Sequence, residues 1–263
     1  MCNPTITVLV AKDLISIIIP TLNEQSGIER TIKSIPQSAI KESTGRDVEV
    51  IVVDGQSTDS TREIATRLGA KVIIEERKGY GRACKSGFAA AKGEILVTID
   101  ADNTYPTESI PNYVQALESN GLDFITVNRF PQMEKGAMSI TRRFGNRILA
   151  LALRLLYSID IEDSQSGMWV MRRGFVSQIR LFSDDMSMSE EIKIIAFKYF
   201  KSKEISGRYS ARSGSAKLRV FEDGFKNLIY LINFRKKVQS SLLKNDRITK
   251  EDKIQLKGLE SSN

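Results

Sequence analysis

Short apolar runs alternate with helix-periodic segments through the first half of the chain. The run 14–20 is mostly isoleucine and leucine and ends at Pro20, as a buried parallel strand would. The segment 24–35 then places isoleucines at a helical spacing. Repeated strand–helix units of this kind predict an α/β fold with a mainly parallel central sheet and helices on both faces. The pattern predicts further strands over 47–53, 71–74, 94–99 and 123–127, and further helices over 58–68, 81–92 and 107–119.

The second half of the chain is predicted to contain basic amphipathic helices. A long helix over 139–157 is both basic and apolar, and a strand over 166–171 and a helix over 189–200 follow it. A last apolar stripe leads into the basic cluster 235–237, which is typical of a helix at a membrane interface, although packing onto the protein's own core fits it equally well. The stripes consist of Phe144, Ile148, Leu151, Leu155 and Leu156 in the first helix and of Phe221, Phe225, Leu228, Ile229 and Ile232 in the last.

These patterns divide the chain into one domain and a tail. We expect a single domain over 1–238, with a nucleotide-binding half at about 14–128 and an acceptor half at about 129–238. The composition of 239–263 is polar and charged, which is typical of a disordered tail. No secretory signal is evident at the N-terminus, and no apolar run approaches the roughly 20 residues needed to span a bilayer. The sequence therefore predicts a protein that contacts a membrane without crossing it.

The composition of the chain excludes several kinds of catalytic and metal-binding site. The 263 residues include no histidine and two cysteines, which excludes Ser-His-Asp machinery, His-ligated metals and zinc cages. The net charge of +7 is concentrated in two segments, +5 over 129–154 and +4 over 235–263, whereas the rest of the chain carries −2. Such concentration favours phosphate groups or an anionic surface as partners, and two solvated helix faces are the alternative.

Acidic and polar groups follow the predicted strands. Asp100-Ala101-Asp102 ends the fourth strand, where two carboxylates can hold a hard divalent cation such as Mg²⁺ or Mn²⁺, unless they only cap a turn. Asp54 ends the second strand and can accept hydrogen bonds from a base or a ribose, and Pro20 to Glu24 closes the first. Because ligands bind beyond the carboxyl ends of parallel strands, we expect these groups to share one site.

Taken in order, the motifs resemble those of a known family. The segments 19–24, 53–59, 79–87 and 100–102 are similar to those of the inverting GT-A glycosyltransferases, which have a Rossmann-like sheet. The segments 163–168 and 212–217 resemble the dolichol-phosphate hexosyltransferases, the dolichol-phosphate mannose synthase group, and the archaeal members most of all. The resemblance extends from about residue 14 to about residue 225.

The resemblance implies a role for each matching residue. Asp102, Asp163 and Arg212 would be catalytic, with Asp163 orienting groups near the reacting carbon, and Asp100 and Asp102 would bind the metal and the donor diphosphate. Arg212 and Lys217 would lie on a loop that closes over the donor. Donor binding would involve Pro20, Asn23, Glu24, Asp54, Asp100 and Lys217, and the acceptor phosphate would meet Arg129, Arg142, Arg143, Arg147 and Ser166.

Two positions depart from the mannose synthase pattern. Gly55 stands where those enzymes usually carry a second aspartate, and Thr104 stands where they carry a glutamine. These departures leave the third protein ligand to the metal open. They favour a UDP-sugar donor, UDP-glucose or UDP-N-acetylglucosamine, over GDP-mannose.

The expected reaction is a metal-dependent, inverting transfer of a hexose from a nucleotide sugar to dolichyl or polyprenyl phosphate at the inner face of the cell membrane. A lipid phosphate is already anionic, so its attack requires positioning and charge stabilisation but no strong base. One alternative is transfer to a soluble saccharide with Asp163 as the base, and another is a non-catalytic nucleotide-sugar-binding module. Nucleic acid is not an expected partner, since the acids at the strand ends would repel its phosphates.

Overall fold

The computed structural model describes residues 10–213 and 220–238. In these ranges seven strands form one sheet in the order β3-β2-β1-β4-β6-β5-β7. All neighbouring pairs are parallel except the two made by β6, which runs against β4 and β5. The mainly parallel sheet predicted from the sequence is confirmed. The strands are β1 (Ala11–Thr21), β2 (Asp47–Asp54), β3 (Lys71–Ile74), β4 (Gly93–Thr98), β5 (Phe124–Met133), β6 (Trp169–Arg172) and β7 (Ser202–Tyr209).

Helices cover both faces of the sheet. Along β1, Ile17 and Ile19 pack into one apolar core and Ile18 into a second on the opposite face, so both faces of this strand are buried. Helices α1, α2, α3 and α5 cover the first core, and α4 and α6–α9 cover the second. The helices are α1 (Ile28–Ser34), α2 (Gln37–Thr44), α3 (Thr61–Arg67), α4 (Tyr80–Ala90), α5 (Ile110–Ser119), α6 (Ile140–Tyr157), α7 (Arg173–Ser177), α8 (Met188–Tyr199) and α9 (Val220–Phe234).

The long helix α6 begins as the sequence predicts, at an N-cap formed by Ser139, whose side chain accepts the backbone N–H of Arg142. Its predicted apolar stripe, however, faces outward, except for Leu156, which packs against the second core. The inner face of α6 instead consists of Asn146, Leu149, Leu153 and Tyr157, which are buried.

Helix α9 packs beside α6 and also turns apolar side chains outward. Of the eleven large hydrophobic side chains exposed in the described ranges, eight lie on these two helices. We call this set the outer apolar face. It comprises Ile140, Phe144, Ile148, Leu151 and Leu155 of α6 and Phe225, Ile229 and Ile232 of α9.

Some predicted features lie outside the described residues, namely Lys217, the tail 239–263 and the side chain of Phe221. Within the described ranges, no helix combines the length and the apolar character needed to cross a membrane.

Candidate active site

Three adjacent strands, β2, β1 and β4, end at the same edge of the sheet, and each is followed by a sharp turn. Each turn contains one non-glycine residue with a positive φ angle: Asn23 at 52°, Gln56 at 69° and Asn103 at 59°. Non-glycine residues in this region of backbone space are uncommon and often occur at functional sites. Two of the three are asparagines, which tolerate the conformation best. The turns bring the polar groups that follow β1, β2 and β4 together.

The turns after β1 and β2 are joined by hydrogen bonds. The backbone N–H of Thr58 donates to Asn23 Oδ1 at 2.7 Å, and the backbone N–H of Asn23 donates to Ser57 Oγ at 2.7 Å. The backbone N–H of Glu24 donates to Thr61 Oγ1 at 2.8 Å. Asn23 therefore fixes the shape of this corner, while Pro20 is buried within β1, opposite Val53 of β2.

Asp54 is fully buried at the end of β2. Its Oδ1 accepts the backbone N–H of Ser57 at 2.9 Å, but no described residue donates a hydrogen bond to Oδ2. A buried carboxylate oxygen without a donor is costly. Asp54 thus offers an acceptor that a ligand hydroxyl or N–H group can satisfy.

Asp100 and Asp102 follow β4 and line a cavity. Asp102 Oδ1 accepts the hydroxyl of Thr104 at 2.7 Å, which orients this carboxylate. Desolvation raises the pKa of Asp100 to about 7 and the negative charge of Asp102 adds to the shift, while Arg129 and Arg212 oppose it. Two neighbouring carboxylates that repel each other in this way are stabilised by a cation between them.

Two glycines allow the backbone to approach this carboxylate pair. A Cβ atom on Gly27 would lie 2.5 Å from the carbonyl oxygen of Ala101, and one on Gly167 would lie 2.9 Å from Asp100 Oδ1. Real Cβ atoms do not occur at such distances, so a side chain at either position would displace the pair. Gly167 brings the segment 163–168 directly against Asp100.

The carboxylate pair suits Mg²⁺ or Mn²⁺. No cluster of three or more acidic or cysteine side chains that could enclose a metal ion is found in the described part of the chain. Mg²⁺ is usually held by one or two carboxylates, and substrate phosphates and water complete its coordination. Asp100 and Asp102 match that donor set.

Arg212 reaches the pair from the loop after β7. Its Nη2 lies 3.0 Å from Glu24 Oε1, and its Nε lies 3.5 Å from Asp102 Oδ2. The backbone N–H of Ser213 also donates to the carbonyl of Asp102 at 2.9 Å. Residues 210–213 therefore lie over the strand-end carboxylates, and one guanidinium bridges two of the turns.

Behind the carboxylates lies a buried ion pair between Arg129 and Asp163. Nε and Nη2 of Arg129 each lie 2.7 Å from an oxygen of Asp163, and Asn146 Nδ2 donates to Oδ1 at 2.6 Å. Burial opposes ionisation of Asp163, but the charge and hydrogen bonds of Arg129 outweigh it and hold the pKa at about 2. A carboxylate this acidic, with both oxygens engaged, is a poor proton acceptor.

The central cavity is lined by groups of three kinds. They are the carboxylates Asp100 and Asp102, three arginines, and apolar side chains of the loop before α6, of α6 itself and of the loop before α8. The lining includes Asp100, Asp102, Arg129, Arg142, Arg212, Tyr209, Asn146, Gln165, Asn227, Met138, Leu149, Met186, Gly145 and Gly224.

A profile of the family described as glycosyl transferase family 2 matches residues 16–180. The chain belongs to this family. The match contains the turns after β1, β2 and β4, the carboxylate pair and the Arg129–Asp163 ion pair. The prediction that the protein is a glycosyltransferase is confirmed.

Several archaeal proteins are similar to this glycosyltransferase over most of its length. A dolichyl-phosphate hexose transferase of Haloferax volcanii is 32% identical over 215 residues, which cover 81% of this chain and 90% of that protein. The low-salt glycan biosynthesis hexosyltransferase Agl6 of the same organism is 32% identical over 83% of this chain and 53% of its own length. A dolichol-phosphate mannosyltransferase of Pyrococcus furiosus is 30% identical over 78% of this chain and 59% of that protein. The chain spans little more than half the length of the last two.

The fold of the glycosyltransferase is also found in solved structures. Glucosyl-3-phosphoglycerate synthase of Mycobacterium tuberculosis, crystallised with Mn²⁺, UDP and glucosyl-3-phosphoglycerate, has a TM-score of 0.67 at 23% identity. The similarity covers 85% of this chain and 80% of that one. A crystal structure of the same enzyme in complex with Mg²⁺ and UDP has a TM-score of 0.66 at 24% identity. The likeness shows the GT-A fold.

The structure separates the predicted acceptor residues of the glycosyltransferase. Arg129 and Arg142 line the cavity, whereas Arg143 and Arg147 are exposed on α6 and are not part of its lining. Ser166 is fully buried, with its hydroxyl 3.4 Å from the Tyr105 hydroxyl, and it does not line the cavity either.

Three amide side chains at the cavity were not predicted: Asn146, Gln165 and Asn227. Asn146 lies on the inner face of α6 with Leu149, Leu153 and Tyr157. It could be identified as a cavity residue only if the side of the helix that faces the core were known. Gln165 lies in the segment 163–168 that carries the resemblance, but the resemblance implied no role for it, and Asn227 lies in a segment with no local pattern that distinguishes it from a surface amide.

Proposed function

We propose that this glycosyltransferase transfers a hexose from a nucleotide sugar to a polyprenyl phosphate of the dolichyl type, with inversion at the anomeric carbon. The observation that carries the proposal is the central cavity, whose lining combines two carboxylates, three arginines and several apolar side chains. A donor diphosphate with its metal, an acceptor phosphate and an isoprenoid chain require these three kinds of environment. The names of two archaeal relatives combine dolichyl phosphate with a hexose or mannose, which supports the same acceptor class and transferred group.

The donor would occupy the edge of the sheet beyond β2, β1 and β4. Asp54 Oδ2, to which no described residue donates, would accept a hydrogen bond from the base or the ribose. Asp100 and Asp102 would hold Mg²⁺ or Mn²⁺, which neutralises the diphosphate and stabilises it as a leaving group. Arg212 would then exchange its contact with Asp102 for the donor's phosphates. The glycine at position 55 and the threonine at position 104 support UDP-glucose or UDP-N-acetylglucosamine over GDP-mannose.

The acceptor phosphate would lie between Arg129 and Arg142. Arg129 is held in place by Asp163, so its guanidinium is positioned before the acceptor arrives. A phosphate oxygen that is already ionised attacks the anomeric carbon without losing a proton, and the bond to the nucleotide diphosphate breaks on the opposite side. The low pKa of Asp163 argues against the alternative in which it removes a proton from a sugar hydroxyl.

The outer apolar face would place the enzyme on the membrane that holds its acceptor. Eight large apolar side chains on two adjacent helices exceed what scattered surface hydrophobics explain. Exposed basic residues flank them, Arg143, Arg147 and Arg154 on α6 and the cluster 235–237 after α9. An apolar face bordered by cations is typical of helices that lie in an anionic lipid interface, such as the inner leaflet of a cell membrane.

A donor panel tests the reaction. Purified protein with Mg²⁺ or Mn²⁺ should transfer labelled sugar from UDP-glucose or UDP-N-acetylglucosamine to polyprenyl phosphate, recovered in the organic phase. Asp102→Asn should abolish the transfer while its circular dichroism spectrum stays that of the wild type. Failure with both UDP-sugars and with GDP-mannose would reject the proposal and favour a non-catalytic binding module. Equal transfer to free saccharides would favour a soluble acceptor.

A further inference from the structure

Helix α8 brings two buried ionisable side chains, Glu190 and Lys193, beneath the segment 163–167. Both side chains are fully buried and lie one turn apart on the helix. The Nζ of Lys193 donates to the carbonyl oxygens of Asp163, Ser164 and Ser166 at 3.2, 2.6 and 2.9 Å. Lys193 thus secures the backbone of the segment that holds Arg129 through Asp163.

Glu190 lies behind two amides of the cavity wall. Its Oε1 accepts hydrogen bonds from Gln165 Nε2 and from Asn227 Nδ2, the latter at 3.2 Å. Asn227 Nδ2 also lies 3.5 Å from Gln165 Oε1, so the three side chains form a closed group. We call it the amide–carboxyl cluster. Gln165 and Asn227 line the central cavity, and Glu190 does not.

The cluster joins elements that are far apart in sequence. Gln165 belongs to the segment 163–167, Glu190 to α8 and Asn227 to the inner side of α9. The outer side of α9 carries Phe225 and Ile229 of the outer apolar face. A displacement of α9 would therefore move Asn227 at the cavity wall. Through Gln165 it would also move the segment 163–167, which holds Arg129.

Stability alone does not account for this group. Burying a carboxyl group and two amides costs free energy that well-packed apolar side chains would avoid. Burial raises the pKa of Glu190 to about 8 and the charge of Lys193 opposes the shift, while Oε1 accepts both amide N–H groups. Oε2 has no hydrogen-bond partner among the described residues. A polar group joined through one shared oxygen fixes side-chain positions that apolar packing leaves free.

We propose that Glu190 is a positioning residue, which holds Gln165 and Asn227 at the cavity wall and couples the seating of α9 to the binding of the acceptor. The inference rests on the proposed function, since the acceptor is taken to be a lipid phosphate. Glu190 does not contact the carboxylate pair, and the two amides that it holds are not among the donor-binding residues, so its loss should affect the acceptor more than the donor.

Helix α8 provides a matched control in the next residue, Glu191. It is also buried, and it also bonds to α9, through Tyr230 Oη at 2.7 Å, and to the backbone N–H groups of Phe182 and Ser183 at 2.7 and 2.8 Å. None of its partners lines the central cavity. Replacing either glutamate with alanine removes a buried carboxyl group that ties α8 to α9, but only one replacement disturbs the cavity wall.

The kinetic test compares Glu190→Ala, Glu190→Gln and Glu191→Ala. Glu190→Ala removes the oxygen to which Gln165 and Asn227 both donate hydrogen bonds. It should therefore raise the KM for polyprenyl phosphate about tenfold and leave the KM for the nucleotide sugar unchanged. Glu190→Gln should restore the acceptor KM, because its amide carbonyl can accept the same two N–H groups. An unchanged acceptor KM in Glu190→Ala would overturn the proposal, and so would an equal rise in Glu191→Ala. A Glu190→Gln variant as defective as Glu190→Ala would also overturn the proposal, because the shared hydrogen-bond acceptor would then not be what Glu190 supplies.

A second readout does not depend on transfer. Trp169 is the only tryptophan of the chain, and its Nε1 donates to the carbonyl oxygen of Ser166 at 2.8 Å. Its emission should shift to the red and become more accessible to acrylamide in Glu190→Ala, but not in Glu191→Ala or Glu190→Gln. If the wild type transfers no sugar, the proposed function fails, while the emission still tests the cluster. Identical emission in all four proteins would show that Glu190 does not hold the segment.

Discussion

The outer apolar face allows a quantitative prediction. Phe144 is 65% exposed and Leu155 is 73% exposed, and they lie three turns apart on α6. Fully burying a large apolar side chain contributes about 1.5–3 kcal/mol, so moving these exposed fractions into a bilayer contributes about 1–2 kcal/mol each. The double variant Phe144→Ser, Leu155→Ser should therefore lose about 3 kcal/mol of membrane affinity, or about a hundredfold in binding.

Co-sedimentation with vesicles of phosphatidylglycerol and phosphatidylcholine measures this loss. The matched control is Ile74→Ser, which removes a 55% exposed isoleucine from the edge strand β3, away from α6 and α9. Because neither replaced side chain of the double variant is buried, its thermal stability should stay close to that of the wild type. Undiminished binding by the double variant would refute the docking argument, as would an equal loss in the control.

Two further predictions concern the arginines and the buried acid. Arg142→Gln should raise the KM for polyprenyl phosphate about tenfold in the transfer assay, whereas Arg143→Gln, one residue on but outside the cavity, should leave it unchanged in detergent solution. Asp163 has a folded pKa of about 2, below the roughly 3.9 of an unfolded chain, so its ion pair stabilises the fold above about pH 4 and is lost as pH falls through about 2. Urea unfolding of the wild type between pH 5 and pH 2 should show a fall on the order of 2 kcal/mol that Asp163→Asn lacks, and equal slopes would contradict the assignment.

Hydrophobic periodicity predicts the central elements well because they are buried on both faces. Strands β1, β2 and β4 are near-continuous apolar runs, and their predicted bounds agree with the structure to within a few residues. The edge strand β7 was not predicted, since it contains three charged residues and only Gly207 and Tyr209 are buried. Helix α2 was missed for a similar reason, because it buries a single side chain, Ile40.

The pattern of apolar residues in α6 does not predict which side of the helix faces the core. Apolar residues occur around most of its circumference, so either of two stripes could face the core. The stripe that is buried contains Asn146, whose amide reaches Asp163. The more uniformly apolar stripe is exposed. Only the tertiary contacts of α6 with α8 and α9 decide between them, and the same decision places Arg142 at the cavity and Arg143 outside it.

The strand-end residues were predictable because parallel strands end at a common edge. Asp54 ends β2, and Asp100 and Asp102 follow β4, the strands on either side of β1, so topology alone brings them to one edge of the sheet. The supporting layer was not predictable in this way. Asp163 and Glu190 act through partners 34 and 25 residues distant in sequence, Arg129 and Gln165, and such pairings depend on the packed tertiary structure.

The lining of the central cavity is consistent with a reaction that needs no histidine as a base. Among the described residues that line it, the only carboxylates are Asp100 and Asp102, and the metal-binding role proposed for them requires their ionised form. Asp163 is too acidic to take a proton, and the other charged groups of the lining are arginines. A hydroxyl acceptor would need a base that this lining does not offer. An acceptor that enters already ionised needs only the arginines, and an acceptor with a long apolar chain also uses the apolar side chains of the lining and the helices beside it. A lipid phosphate meets both conditions, whereas a soluble saccharide meets neither.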